Sequence, residues 1–235
     1  MKPVRVRDAR LVVYTASHWR LLAAKRRKAL AIVNALNASG LDPLVIGSIA
    51  RGDVHEGSDI DIAILDPVPT FRVEIALETA GFNIVRKEVV QATPRHTPKA
   101  YLYLDLETSI HVPLAPLSRL EQEFYRFGGA IGRKDLEAGR RVPGVNKRLL
   151  VIVPTEEGHI EYSVLGRERE VAQLLGVSLD IVKERVTVLS KRDEVGRTGV
   201  FFKLVLPPSA NIEEAVVRCA RTVPALRKKI EGWLL

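Results

Sequence analysis

The stretch Gly47-Ser48-Ile49-Ala50-Arg51-Gly52-Asp53-Val54-His55-Glu56-Gly57-Ser58-Asp59-Ile60-Asp61 decides how the rest of the chain reads. An apolar run, Pro43-Leu44-Val45-Ile46-Gly47, precedes the turn, and Asp59-Ile60-Asp61-Ile62-Ala63-Ile64-Leu65 follows it, so the pattern predicts strand, glycine-rich turn, strand. Alternate residues of a strand share a face. Asp59 and Asp61 therefore point the same way, about 7 Å apart at Cα, while Ile60, Ile62 and Ile64 point into a core. Two carboxylates on one face repel each other unless a cation lies between them, and hard oxygen donors suit Mg²⁺ or Mn²⁺. The turn upstream exposes backbone N–H groups, Ser48 adds a hydroxyl, and Arg51 adds positive charge; all three suit phosphate oxygens. Either half alone is commonplace, since D-x-D is usually a solvated strand edge and Gly-Ser usually a simple turn. Their separation by eleven positions, Ser48 to Asp59, makes the pair informative.

Working outward, His18–Leu36 carries Leu21, Leu22, Leu30, Val33 and Leu36 at helical spacing beside a basic band, Lys25-Arg26-Arg27-Lys28. A helix is expected over Thr70–Ala80, strands over Phe82–Gln91, Ala100–Asp105 and Ser109–Leu114, and a helix over Ser118–Phe127. The order is α-β-turn-β-α-β-β-β. It predicts an α/β (α+β) fold with a mixed sheet flanked by helices.

The pattern G-S-x-A-R-G…S-D-x-D over residues 47–61 resembles the signature of the DNA polymerase β-like nucleotidyltransferase superfamily, which includes minimal, CCA-adding and poly(A) polymerase-type enzymes. The compatible element order covers roughly residues 18–115. The resemblance implies that Gly47 and Ser48 hold a nucleoside triphosphate and that Asp59 and Asp61 are the metal-binding catalytic acids. It also implies attack of a hydroxyl on the α-phosphorus with release of pyrophosphate. A third acid is expected from a later strand. The stretch matching that strand, Ser109-Ile110-His111-Val112-Pro113, holds no carboxylate. Three outcomes stay open: Asp105, with Glu107 beside it, completes the triad; His111 acts as ligand or base; or the protein binds nucleotide with little catalysis.

Composition shifts at 129–147, where glycine and basic residues cluster around Pro143. The expected organisation is a nucleotidyltransferase-like domain over 1–130, a linker over 131–147 and a C-terminal domain over 148–235. In the last, Arg148–Pro154 and His159–Val164 suggest a hairpin, followed by helices over Gly166–Leu175 and Ser178–Ser190 around Gly176. A second hairpin over Lys191–Leu206, turning at Val195–Gly199, would serve as a wing, so this part resembles a winged-helix domain. Arg185, Lys191, Arg192, Arg197 and Lys203 are the candidate phosphate contacts for a nucleic acid there. Packing or dimerisation is the bland alternative for the same fold. Asn211–Val223 reads as a helix stopped by Pro224, with Cys219 on its apolar stripe.

The net charge of +8, carried by 24 Arg and 12 Lys against 28 acids, favours polyanionic partners, RNA among them, although a heat-adapted surface gives the same balance. One cysteine excludes an intramolecular disulfide and a thiolate zinc cluster. No apolar run reaches the roughly 18 residues needed for a membrane span, and a cytoplasmic setting is expected. Two classes of function follow. One is a Mg²⁺- or Mn²⁺-dependent transferase acting on a hydroxyl of RNA, protein or a small molecule. The other is a nucleotide-sensing or antitoxin-like binding protein.

Overall fold

A computed structural model describes residues 3, 8–195 and 199–234. In chain order the elements are β1 (Arg10–Val13), α1 (Ala16–Ala38), β2 (Pro43–Ile46), α2 (Ser48–Arg51), β3 (Ile60–Ile64), α3 (Thr70–Thr79), β4 (Arg86–Gln91), β5 (Lys99–Tyr103), β6 (Thr108–Pro113) and α4 (Arg119–Gly128). They continue as β7 (Ala130–Ile131), α5 (Arg133–Glu137), β8 (Gly144–Val145), β9 (Leu150–Thr155), β10 (Gly158–Ser163), α6 (Glu168–Leu175), α7 (Leu179–Val195), β11 (Phe202–Leu206), α8 (Ile212–Ala220) and α9 (Pro224–Ile230). This is the expected mixed α/β architecture. The anticipated helix and strands around the Gly47 turn are all present.

Two compact units share the chain. The first comprises residues 1–30, 45–58 and 119–198, and the second 31–44, 59–118 and 199–235. Both are drawn from discontinuous segments rather than from successive blocks, and 131–147 lies wholly inside the first.

The first unit contains an antiparallel sheet in the order β1-β10-β9-β8. The β9–β10 hairpin forms as its alternating apolar residues require. Its inner face joins α4, α6 and α7 in a core of Phe127, Leu149, Val151, Val164, Val171, Ile181 and Val182. Gly176 (φ 61) ends α6 in the left-handed conformation that glycine adopts without strain, so a helix–glycine turn–helix is indeed present. The end of β2 pairs with β7 in the same unit, Val45 opposite Ile131.

The second unit holds a mixed sheet, β11-β4-β5-β6-β3. Only the β6–β3 pair is parallel, because the chain between them crosses over through α3. Ile60, Ile62 and Ile64 of β3 are buried with Leu102, Ile110 and Val89. α3 begins at Thr70 after Pro69, which has no side-chain oxygen to cap it. The cap comes from α8 instead: Thr70 N–H and Oγ1–H donate to the Glu213 carboxylate at 2.6 and 2.9 Å.

Two expectations are corrected here. The wing hairpin over Lys191–Leu206 does not form. Lys191–Val195 continue α7, there being no helix breaker before Gly196, and β11 pairs antiparallel with β4, Phe202 opposite Gln91 through Leu206 opposite Lys87. The alternating pattern does form a strand, but its hydrogen-bond partner is a strand more than a hundred residues upstream. A winged helix is therefore absent among the described residues. Pro224, expected only to stop a helix, also starts α9, where its missing N–H costs nothing. The buried stripe of α8 is Ile212, Val216 and Ala220, and Cys219 is only partly buried. No helix among the described residues is long and apolar enough to cross a membrane.

Candidate active site

Gly47 and Ser48 lie in the first unit. Gly47 closes β2 with φ 73 and ψ −141, a conformation that side chains other than hydrogen resist, and no atom lies within 4 Å of where a Cβ would stand. Space is left beside the backbone at this point. Ser48 is the first residue of α2, so its N–H is among those a helix cannot satisfy by itself.

The turn is held from below by cations of α1. Arg26 donates from Nε to Ile49 O at 3.1 Å and from Nη2 to Ala50 O at 3.2 Å, and burial lowers its pKa to about 10. Lys25, itself buried, donates to Ser58 O at 2.7 Å, and His18 Nε2 lies 2.8 Å from Gly52 O. Backbone bonds add to these: Gly47 N–H to Gly129 O at 2.9 Å and Val142 N–H to Ala50 O at 3.2 Å. Half of the basic band on α1 thus serves the carbonyl side of the turn. Helical spacing alone reads such a band as solvated.

Arg51, expected to lend charge to the phosphate side, faces inward. It is buried, its Nε and Nη2 lie 2.9 and 3.0 Å from the two Asp53 carboxylate oxygens, and Nη1 donates to Gly128 O at 2.5 Å. Arg141 covers the far end of the turn. Its aliphatic stem lies over Gly52, and its guanidinium donates to the Gly158 and Thr155 carbonyls while lying 4.7 Å from the Trp19 ring centroid.

Asp59 and Asp61 lie in the second unit. Asp59 immediately precedes β3 and is exposed, whereas Asp61 is the second strand residue and is partly buried. Ile60 and Ile62 between and after them are buried, so burial alternates over residues 59–62 as a strand pattern requires. In the β3–β6 ladder Asp61 is opposite Ser109 and Ala63 is opposite His111. Ser109 Oγ–H donates to Asp61 Oδ1 at 3.1 Å, His111 Nε2 lies 3.2 Å from the same oxygen, and Ser109 Oγ and His111 Nε2 are 2.9 Å apart. Tyr101, opposite His111 on β5, packs its ring 4.5 Å from the imidazole.

Asp105 lies in the turn between β5 and β6. Its Oδ1 accepts the Glu107 N–H at 2.9 Å, and Glu107 O accepts the Ile60 N–H at 2.7 Å. This turn therefore lies at the Asp59 end of β3, with Asp105 engaged in its own local geometry. Among the described residues no group of three or more His, Cys, Asp or Glu side chains is arranged to hold a metal ion. Of the open outcomes for the third position, the geometry brings His111 to Asp61. It gives Asp105 a turn-forming bond.

The candidate nucleic-acid contacts are dispersed. Arg185 on α7 lies 5.0 Å from the Phe124 ring centroid, and burial lowers its pKa. Lys191 and Arg192 are exposed on α7. Lys203 is on β11 and pairs with Glu88 at 3.1 Å, and Arg197 falls outside the described residues. Nothing in the sequence pattern marks Ser109, Lys25, Arg26 or His18 as site residues. Only the three-atom meeting of Asp61, Ser109 and His111, and the carbonyls of the turn, reveal them.

Comparison with curated proteins and with solved structures finds no match. A family model, the nucleotidyltransferase domain, matches residues 26–116, a range that takes in the Gly47-Ser48 turn, both aspartates and β6. Residues 26–116 thus carry the similarity to the nucleotidyltransferase domain family.

Proposed function

We propose that the chain transfers a nucleoside monophosphate from a nucleoside triphosphate to a hydroxyl acceptor, RNA in preference to protein or a small molecule. The observation that carries this reading is the alternation at the start of β3, exposed Asp59 and half-buried Asp61 against buried Ile60 and Ile62, within a segment that the family model matches. The donor set fits a hard divalent cation, Mg²⁺ or Mn²⁺, since both acids present oxygen to one side of the strand. When bound, that cation neutralises charge on the attacking and leaving oxygens.

The chain's own residues do the rest. The Gly47-Ser48 turn offers backbone N–H and hydroxyl donors to the triphosphate, and the α1 cations hold its shape by saturating the carbonyls behind it. Ser109 and His111 both meet Oδ1 of Asp61 and hold that oxygen in place. The acceptor hydroxyl gives up its proton to solvent water as its oxygen bonds to the α-phosphorus; the bond from that phosphorus to the bridging oxygen breaks, and pyrophosphate departs with the electron pair. Arg51 braces the Gly47-Ser48 turn from within, through Asp53 and Gly128 O. The excess of basic over acidic residues in 131–235, with Lys191 and Arg192 exposed, supports a polyanionic acceptor. A functional division into 1–130 and 148–235 and a cytoplasmic setting belong to the same reading.

Asp59→Asn and Asp61→Asn each abolish incorporation of label from an α-labelled triphosphate while circular dichroism stays unchanged. Wild-type rates in both variants refute the assignment. The presence of His111 where a third carboxylate is expected favours one competing reading, a nucleotide-binding protein with little turnover. Tight triphosphate binding without pyrophosphate release, across RNA, protein and small-molecule acceptors, would select it.

A further inference from the structure

The meeting of Asp61, Ser109 and His111 says more about the cation than the aspartate pair does. It rests on the reading of Asp61 as a cation ligand and deepens it. Two donors occupying neighbouring positions about one cation, each about 2.1 Å from it, lie roughly 3.0–3.4 Å apart, the span from octahedral to tetrahedral angles. His111 Nε2 and Asp61 Oδ1 are 3.2 Å apart. The pair is already at the bite that a single ion requires, with no movement of either strand.

Three features hold it there. Tyr101 packs against the imidazole from β5, and Ser109 binds both partners from between them. Ala63, directly opposite His111 in the ladder, presents only a methyl group on the Asp61 face. The imidazole can lean along the sheet towards Asp61 because nothing bulky stands at position 63.

We propose that Asp61 and His111 together ligate one divalent ion, and that the imidazole nitrogen makes this site select a transition-metal ion such as Mn²⁺, Co²⁺ or Zn²⁺ over Mg²⁺. Carboxylate and water suit Mg²⁺, which surrenders its hydration reluctantly, whereas imidazole suits the later ions, whose affinity for a given N/O site rises along the first row. Replacing a carboxylate by imidazole also removes a negative charge from the site, which weakens a hard, purely electrostatic ion most. Water and phosphate oxygens complete the coordination.

The test uses the full-length protein and the metals alone. Titration calorimetry with Co²⁺ and with Mg²⁺ is paired with the visible absorption of bound Co²⁺, which reports nitrogen ligation independently of activity. Wild type is expected to bind Co²⁺ at least tenfold more tightly than Mg²⁺. His111→Ala should lose tenfold or more for Co²⁺, with a changed visible spectrum and little change for Mg²⁺. His111→Asp should narrow or reverse the preference by raising Mg²⁺ affinity. Ser109→Ala, which leaves both ligands in place, should keep the Co²⁺ preference. If Asp61→Asn abolishes binding of both ions while His111→Ala leaves the Co²⁺ affinity and spectrum as in wild type, His111 is not a ligand and this inference falls, although Asp61 remains one. If neither Asp61→Asn nor His111→Ala alters binding of any ion, the carboxylate assignment falls with it.

Discussion

Replacing Arg51 by methionine separates a structural arginine from a phosphate-binding one. The side chain is buried, meets both oxygens of Asp53 at 2.9 and 3.0 Å, and donates to Gly128 O at 2.5 Å. Removing the cation leaves Asp53 beside an apolar group and Gly128 O without its donor. Breaking a buried pair in this way costs about 3–5 kcal/mol, mostly as the penalty of the stranded partner. With a urea m-value of about 2.5 kcal/mol/M, the unfolding midpoint falls by about 1–2 M. At roughly 2–4 °C per kcal/mol for a chain of this size, Tm falls by about 10 °C. Arg51→Lys should fall between the two, since an ammonium keeps the charge but cannot span both Asp53 oxygens. The double variant Arg51→Met/Asp53→Leu should recover part of the loss, because an apolar pair strands no charge. The assay is urea denaturation followed by circular dichroism, with triphosphate affinity measured in parallel. An unchanged midpoint in Arg51→Met, together with weakened triphosphate binding, would refute the inward assignment and return Arg51 to the phosphate.

Three further outcomes follow from single contacts. Glu213→Ala removes the carboxylate that caps α3 through Thr70, and should cost about 2 kcal/mol in urea unfolding; a change below about 0.5 kcal/mol would mean solvent caps the helix equally well. Tyr14 donates or accepts at 2.7 Å with His159 Nδ1, and burial raises its pKa while burial lowers that of His159. The folded state therefore holds the Tyr14 proton more tightly than the unfolded chain does, so that stability is fully present below pH 10 and is lost as pH rises above it. His159 works in the opposite sense: the unfolded chain binds its proton more readily, so stability is present above pH 6.5 and declines as pH falls below it. Tyr14→Phe should reduce the alkaline loss in urea midpoints measured from pH 8 to 11, without abolishing it, since burial raises Tyr103 and Tyr162 too; an unaltered alkaline limb would contradict this. Gly158→Ala places a methyl group 1.9 Å from Val12 O and should detach β1 from β10, seen as lost amide protection at 10–13 in hydrogen exchange. Retained protection there would show that the β1–β10 pairing tolerates a side chain.

Local pattern made much of this protein legible. The period-two alternation Asp59-Ile60-Asp61-Ile62 sets which side chains face a core, and the structure buries Ile60 and Ile62 while Asp59 is exposed and Asp61 half-buried. The β9–β10 hairpin, the α6–Gly176–α7 turn and the strand at 202–206 were equally readable from apolar spacing and a glycine. The partners of those elements were not. A strand's pattern says that it will pair and bury one face, but not with which strand. β11 pairs with β4 and leaves no wing. In the same way, Lys25 and Arg26 look like surface charge until the carbonyls of residues 49, 50 and 58 are brought to them, and Arg51 looks like a phosphate ligand until Asp53 and Gly128 enclose it.

The amino-acid order alone thus determined the chemistry on offer at residues 47–61, because turn conformation and strand facing are short-range properties of the backbone. The tertiary structure decided which groups stand beside it. His111 and Ser109 reach Asp61 only because β6 runs parallel to β3 in one particular register. A shift of one residue would turn both of them away. Register is set by the burial of the whole sheet, a long-range quantity that no single segment carries.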